Sequence, residues 1–250
     1  EYMGSLYSAG NISVIIAGGI DPKKAVSQVE QYFGGMKSFE TKSPIDVVEK
    51  QAKPEVLLRQ KTTEQVHISL GVRTVPIDND EKYALSILSS MLGGGMSSRL
   101  FHEVREKRGL AYYVRTSSDH YTDVGTLVST AGVDPKRVDE AISVIIAEYD
   151  RIRSKKNGIT DKEISKAKEY IKGHTVLELE DSRAVAAFYG MQEVLEDEVE
   201  NPEKYIKEID GVSIGDVEKV AQKYLINSTL NLAVIGNFED RQRFEKLLKL

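Results

Sequence analysis

The chain has 250 residues, 40% hydrophobic and 29% charged, with a formal net charge of −5, so it is long enough for one large domain or one domain and part of another. Its lysines and arginines are dispersed, which argues against a nucleic-acid footprint, and no apolar run reaches the length of a membrane span. Cysteine is absent, which excludes disulfides and thiolate chemistry, and no two of His67, His102, His120 and His174 lie within helical reach of each other as a metal pair.

The first element is an apolar strand over Ile12 to Ala17, followed by a turn and a helix. Asp21 is a good N-cap, Pro22 suits the first helical position, and Gly34-Gly35 closes the helix. The end of the chain, STLNLAVIGNFEDRQRFEKLLKL, repeats that form, and V-D-P-K at 133–136 echoes I-D-P-K at 20–23. The repeated form is the pattern of a duplicated domain, in which residues 1–40 are the closing strand and helix of an upstream copy. Strand-turn-helix units with Asp-Pro at the cap are also common without duplication.

Residues 41–54, TKSPIDVVEKQAKP, read as a linker, with two prolines among several charges. Residues 55–250 then form the main domain. Its first strands are EVLLRQK and the alternating QVHISLGVRTV. NDEKYALSILSSMLGGG is an amphipathic helix ending in glycines. SSRLFHEVREKRG is a shorter helix, capped by Ser97 or Ser98 and stopped by Gly109. LAYYVRTSSDHYTDVGTLVSTAGV is a β-hairpin that turns near Thr122-Asp123. A long helix begins at Asp134-Pro135. ITDKEISKAKEYIKGHTVLELE carries a capping box, Thr160 with Glu163. DSRAVAAFYGMQEVLE, NPEKYIKEID and SIGDVEKVAQKYL are further helices, and a strand and helix finish the chain. The fold class is α+β: a mainly antiparallel sheet with helices packed on one face.

The segment LGGGMSSRLFHEVREKRGLAY, residues 92–112, admits three chemical readings. His102 and Glu106, four apart on one helix face, supply at most two ligands of a metal site; otherwise they belong to a solvated face with Glu103, Arg105, Lys107 and Arg108. The glycines Gly93, Gly94 and Gly95 follow a helix and lack a Gly-Lys-Ser/Thr, which leaves a phosphate loop unsupported. The third reading pairs Arg105 and Tyr112 across a helix-to-strand corner. The guanidinium offers a planar fork of donors to carbonyls or carboxylates, and the phenol offers one donor to a developing oxyanion. Each residue alone also has an ordinary structural explanation, Arg at a helix C-terminus and Tyr at a strand start.

The stretch from LGGGMSSRLFHEVREKRGLAYYV through VDPKRVDEAI resembles the second domain of M16 metallopeptidases, the insulinase, pitrilysin and mitochondrial-processing-peptidase-like zinc proteases. NISVIIAGGIDPKKAVSQVEQYFG resembles the closing strand and helix of their first domain. The resemblance implies that Arg105 holds the substrate backbone and Tyr112 binds the scissile carbonyl oxygen, from a half-chamber facing a zinc site. It places Gly93, Gly94 and Gly95 where the family has a glycine-rich substrate loop, although a simple helix–helix turn also accounts for so short a run. In the family, zinc and the water-activating Glu come from an H-x-x-E-H motif, and no such motif occurs in these 250 residues. The resemblance therefore implies zinc on an absent N-terminal half or partner subunit, none bound by this chain, and peptide substrates enclosed between the halves. The chain is then either the C-terminal part of a longer protease or a separate subunit, inactive without its H-x-x-E-H partner. The alternative is a non-catalytic structural relative. The other expectations are no nucleic acid, no membrane, a possible dimer and a cytoplasmic location.

Overall fold

A strand buried on one face alternates inward and outward residues. Val66, Ile68, Leu70 and Val72 do so along β2 (Val66–Thr74), and Leu232 and Val234 along β5 (Asn231–Gly236). Together with β1 (Glu55–Gln60), β3 (Ala111–His120) and β4 (Gly125–Val133) they make a five-stranded sheet in the order β1-β5-β2-β4-β3. β1 and β5 run parallel, and the β5–β2, β2–β4 and β4–β3 pairings are antiparallel. The computed structural model describes residues 1–154, 158–196 and 198–250, and the chain divides into two compact units.

The sheet belongs to the unit made of Glu49–Gly173 and Glu203–Leu250. Its inner face is covered by α3 (Glu81–Gly93), α4 (Val138–Arg153) and α8 (Ile214–Tyr224). Leu85, Leu88 and Leu92 of α3 and Ile142 and Ile145 of α4 are fully buried, each worth about 1.5–3 kcal/mol relative to exposure. α3 comes within backbone distance of β3, because a Cβ on Gly93 would lie 2.4 Å from Thr116 N. Tyr149 is fully buried, its hydroxyl 3.0 Å from Leu70 O and 2.7 Å from Ser129 Oγ; Ser129 Oγ is in turn 2.7 Å from Thr116 Oγ1. This chain of hydroxyls ties α4 to three strands. The expected capping box forms between Thr160 and Glu163 at the start of α5 (Asp161–Glu178), and a further one joins Ser213 and Asp216 on α8. α7 (Pro202–Gly211) and the short α9 (Arg241–Glu245) complete the helices named here for this unit.

The other unit comprises Glu1–Val48 and His174–Pro202. It holds α1 (Tyr2–Leu6), α2 (Pro22–Phe33) and α6 (Ser182–Leu195). Asp21 caps α2 by accepting from Lys23 N, with Pro22 at the first helical position, as the sequence indicates. Asp181 does the same for α6 by accepting from Arg183 N and Ala184 N. The buried Ser8 hydroxyl donates to Phe39 O at 2.7 Å and accepts from Phe39 N at 2.8 Å. One expectation fails here. Residues Ile12–Ala17 form no strand. A strand exists only by pairing, and among the described residues this segment pairs with none, which leaves Val14, Ile15 and Ile16 exposed.

Candidate active-site corner on the Arg105 turn and strand β3

The segment after α3 does not fold as the ordinary helix its pattern predicts. Phe101–Glu106 is a π-helical turn: Lys107 N donates to His102 O, five residues back, and Leu110 N donates to Val104 O. Single π turns inside helices recur at functional sites. Nor does Ser98 cap it. Its hydroxyl donates back to Gly95 O at 2.6 Å, closing the preceding turn instead. Gly109, at φ +57°, ends the segment in the left-handed region that favours glycine, as expected.

Glu103 is the second correction. The sequence placed it on a solvated charged face, yet it is 8% exposed. It accepts from Arg108 Nη1 at 2.5 Å and Lys107 Nζ at 2.6 Å, and these hydrogen bonds hold its carboxyl down at about 2. Arg108 also reaches Glu103 O at 2.8 Å. Glu106 is occupied by His102, whose Nδ1 lies 2.6 Å from Glu106 Oε2. The acidic residues of the turn are therefore taken by Lys107, Arg108 and His102. Arg105 is left exposed, its guanidinium 5.0 Å above the Phe101 ring, with no hydrogen-bond or ion-pair partner among the described residues.

Tyr112 sits at a second irregularity. Ala111 pairs with Val133 and Tyr113 with Gly132, so Tyr112 is the extra residue of a β-bulge. Bulges beside active sites re-aim a side chain. The burial pattern records the effect: Ala111 and Val114 are buried, while Tyr112 and Tyr113 between them are both exposed. The two tyrosines differ in their bonds. Tyr113 lies over Gly132, where a Cβ would stand 2.5 Å from its ring, and its hydroxyl is 3.1 Å from His67 Nδ1. The Tyr112 hydroxyl has no partner among the described residues, and the residue is 61% exposed. Arg105 and Tyr112 thus each present unpaired donors, one from the π turn and one from the strand it packs against.

The glycines of the expected loop have packing explanations. Gly93 is required by the approach to Thr116, and a Cβ on Gly95 would meet the Tyr170 ring at 3.0 Å. The residues present do not fit a zinc site: His102 and Glu106 bind each other, and His67 and His120 are bonded elsewhere. Among the described residues no three His, Cys, Asp or Glu side chains converge as a ligand set. The sequence reading missed Glu103 as the acceptor for both neighbours, and Phe101 beneath Arg105. The i,i+4 spacings of Glu103 with Lys107 and of Phe101 with Arg105 were the available signals.

The unit is α+β, and it leaves an exposed Arg and an exposed Tyr beside one sheet edge. Residues 1–171 match the family model described as the peptidase M16 inactive domain, and the chain belongs to the M16 peptidase family. It is 33% identical over 242 residues to a protein of Streptomyces coelicolor named a zinc protease, covering 94% of this chain and 52% of that one. A Bacillus subtilis protein named zinc protease YmxG is 32% identical, with 94% of this chain and 56% of the relative covered. The crystal structure of a protease from Helicobacter pylori superposes with a TM-score of 0.82 at 24% identity, covering 94% of this chain and 57% of that one. The chain therefore spans about half the length of the curated relatives it matches. No helix among the described residues is long and apolar enough to cross a membrane.

Proposed function

We propose that this chain is the substrate-handling half of a zinc endopeptidase, acting opposite a zinc-bearing H-x-x-E-H half that is either joined to it or a separate subunit. The observation that carries the reading is the pair of unpartnered, exposed donors on Arg105 and Tyr112, beside a turn where Lys107 and Arg108 pair with Glu103 and His102 bonds Glu106. Arg105 binds a peptide carbonyl or carboxylate through its fork of donors. The Tyr112 hydroxyl donates to the scissile carbonyl oxygen as it becomes anionic; one such donor is worth about 3 kcal/mol. Phe101 holds the guanidinium from below at a gain of about 0.5–1 kcal/mol. In this reading residues 1–40 close an upstream domain. The exposed apolar segment at Val14–Ile16 supports that assignment, since it has the composition of a strand that pairs outside this chain.

The test is hydrolysis of a quenched flexible peptide, with zinc added, by this chain alone and by this chain mixed with the H-x-x-E-H half. Activity should appear only in the mixture. Tyr112→Phe should lower kcat by about 10²–10³ with little change in KM, and Arg105→Ala should act mainly on KM. Full activity of the mixture with Tyr112→Phe would refute the role. Assembly without any hydrolysis would point to a structural subunit instead.

A further inference from the structure

Tyr112 is the extra residue of the bulge, so no residue of β4 stands opposite it in the ladder. A bulged residue lacks the paired backbone bonds that orient its neighbours, and its aim is set by the residues on either side. Before it, Ala111 is buried. After it comes Tyr113, exposed on the outer face of the sheet, where a side chain ordinarily changes rotamer freely. Here it is tied down. His67 of β2 stands opposite Gly132 of β4, and Gly132 opposite Tyr113, so the three form one row across three strands. The Tyr113 ring lies over the glycine and its hydroxyl reaches His67 Nδ1 at 3.1 Å, the two ring centroids 6.3 Å apart.

Gly132 makes that reach possible. Its backbone lies outside the left-handed region, so conformation does not call for glycine there. Space does: a Cβ would stand 2.5 Å from Tyr113 Cε1, 3.0 Å from Tyr113 Cδ1 and 2.9 Å from Gln65 Oε1. All three are side-chain atoms, so a larger residue would lift the tyrosine ring without pushing the ladder apart. We propose that His67 is a positioning residue for Tyr112. Its bond to the Tyr113 hydroxyl across Gly132 fixes the residue that follows the bulge, and through it the direction in which the Tyr112 hydroxyl points. The same bond occupies the second of two adjacent phenols, so that only Tyr112 offers a free one. The inference rests on the proposed function for what the Tyr112 hydroxyl does, and it assigns the group that aims it.

The experiment has two arms. In the zinc-supplied mixture with the H-x-x-E-H half, His67→Ala should lower kcat about tenfold with KM within about twofold, because a catalytic group displaced by about an ångström acts on the chemical step. His67→Asn sets an amide where Nδ1 stands and should restore most of that loss. Gly132→Ala, which lifts the Tyr113 ring, should reproduce the His67→Ala effect. In a Tyr112→Phe background, His67→Ala should add less than about twofold, since its effect runs through the hydroxyl already removed. His67 is exposed, so Tm should change little in either His67 variant. Native kcat in His67→Ala, or a full tenfold loss on top of Tyr112→Phe, would overturn the proposal. The second arm needs no hydrolysis. NMR relaxation of the chain by itself should show added microsecond-to-millisecond exchange at the Tyr112 amide in His67→Ala and none in His67→Asn. Unchanged relaxation at Tyr112 would overturn the proposal as well. A silent native mixture counts against the proposed function alone, and the relaxation arm then decides the tether.

Discussion

Replacing Gly93 by Ala separates a packing glycine from a substrate-loop glycine. The added Cβ would stand 2.4 Å from both Thr116 N and Thr116 Oγ1 and 2.8 Å from Arg115 C. Two of those atoms are backbone, so the clash cannot be relieved by turning a side chain. α3 is held by the fully buried Leu88 and Leu92, and Thr116 is bonded to Ser129 at 2.7 Å, so neither side yields freely. Overpacking of this kind costs about 1–3 kcal/mol. Loosening the Thr116–Ser129 bond adds about 1 kcal/mol, and the better helix propensity of Ala returns about 1 kcal/mol. The expected net loss is about 2 kcal/mol, a fall in Tm of roughly 4–8 °C for a domain of this size. Thermal unfolding followed by circular dichroism measures it. Gly95→Ala, which meets only a tyrosine ring edge, is the matched control and should change stability by less than about 0.5 kcal/mol. An unchanged or raised Tm for Gly93→Ala would refute the packing argument and return Gly93 to the substrate loop.

Three further outcomes are expected. Glu103 is held at about 2 instead of 4.5, so its stabilisation is complete above pH 4.5 and is lost as pH falls toward 2. The full shift corresponds to about 3 kcal/mol, and partial exposure of Lys107 and Arg108 reduces the expected loss to about 1–2 kcal/mol. Urea unfolding across that range should show a shallower acid limb for Glu103→Gln than for the native chain; identical limbs would contradict the assignment. Tyr149→Phe strips the hydroxyl from the buried chain joining Leu70, Ser129 and Thr116, and should cost about 1–3 kcal/mol in chemical denaturation, with a neutral result ruling that network out as a stabiliser. Under the proposed function, Phe101→Leu, which removes the ring beneath Arg105 while keeping apolar bulk, should raise KM for peptide hydrolysis by the mixture with the H-x-x-E-H half a few-fold with Tm nearly unchanged.

The sequence disclosed much of the fold, because the signals that specify it are local. Alternation along Val66–Val72, the caps at Asp21 and Asp134, and the boxes at Thr160 and Ser213 all depend on residues within a few positions of one another. What escaped depends on context. Ile12–Ala17 has strand composition, but strand formation is decided by a partner that composition cannot supply. The π turn differs from an α turn by one hydrogen-bond step, Lys107 N to His102 O, which no residue type announces. Glu103 looks like any surface glutamate until the packing of its turn buries it. Arg105 and Tyr112 were legible as candidates through resemblance and spacing. That their donors are unpartnered, and that their neighbours are paired, required coordinates.

The bulge at Tyr112 also turns chain length into information. In a regular strand, two adjacent outward residues are impossible without turning the rest of the strand over. Absorbing one residue lets Tyr112 and Tyr113 both face out while Ala111 before them and Val114 and Thr116 after them stay inside. Deleting any one residue between Gly109 and Val114 would therefore act like a reading-frame error. It would send either Ala111 or Val114 to solvent, or merge the two tyrosines into one position that cannot both bond His67 and stay free. This short stretch should accept substitutions far more readily than changes in its number of residues.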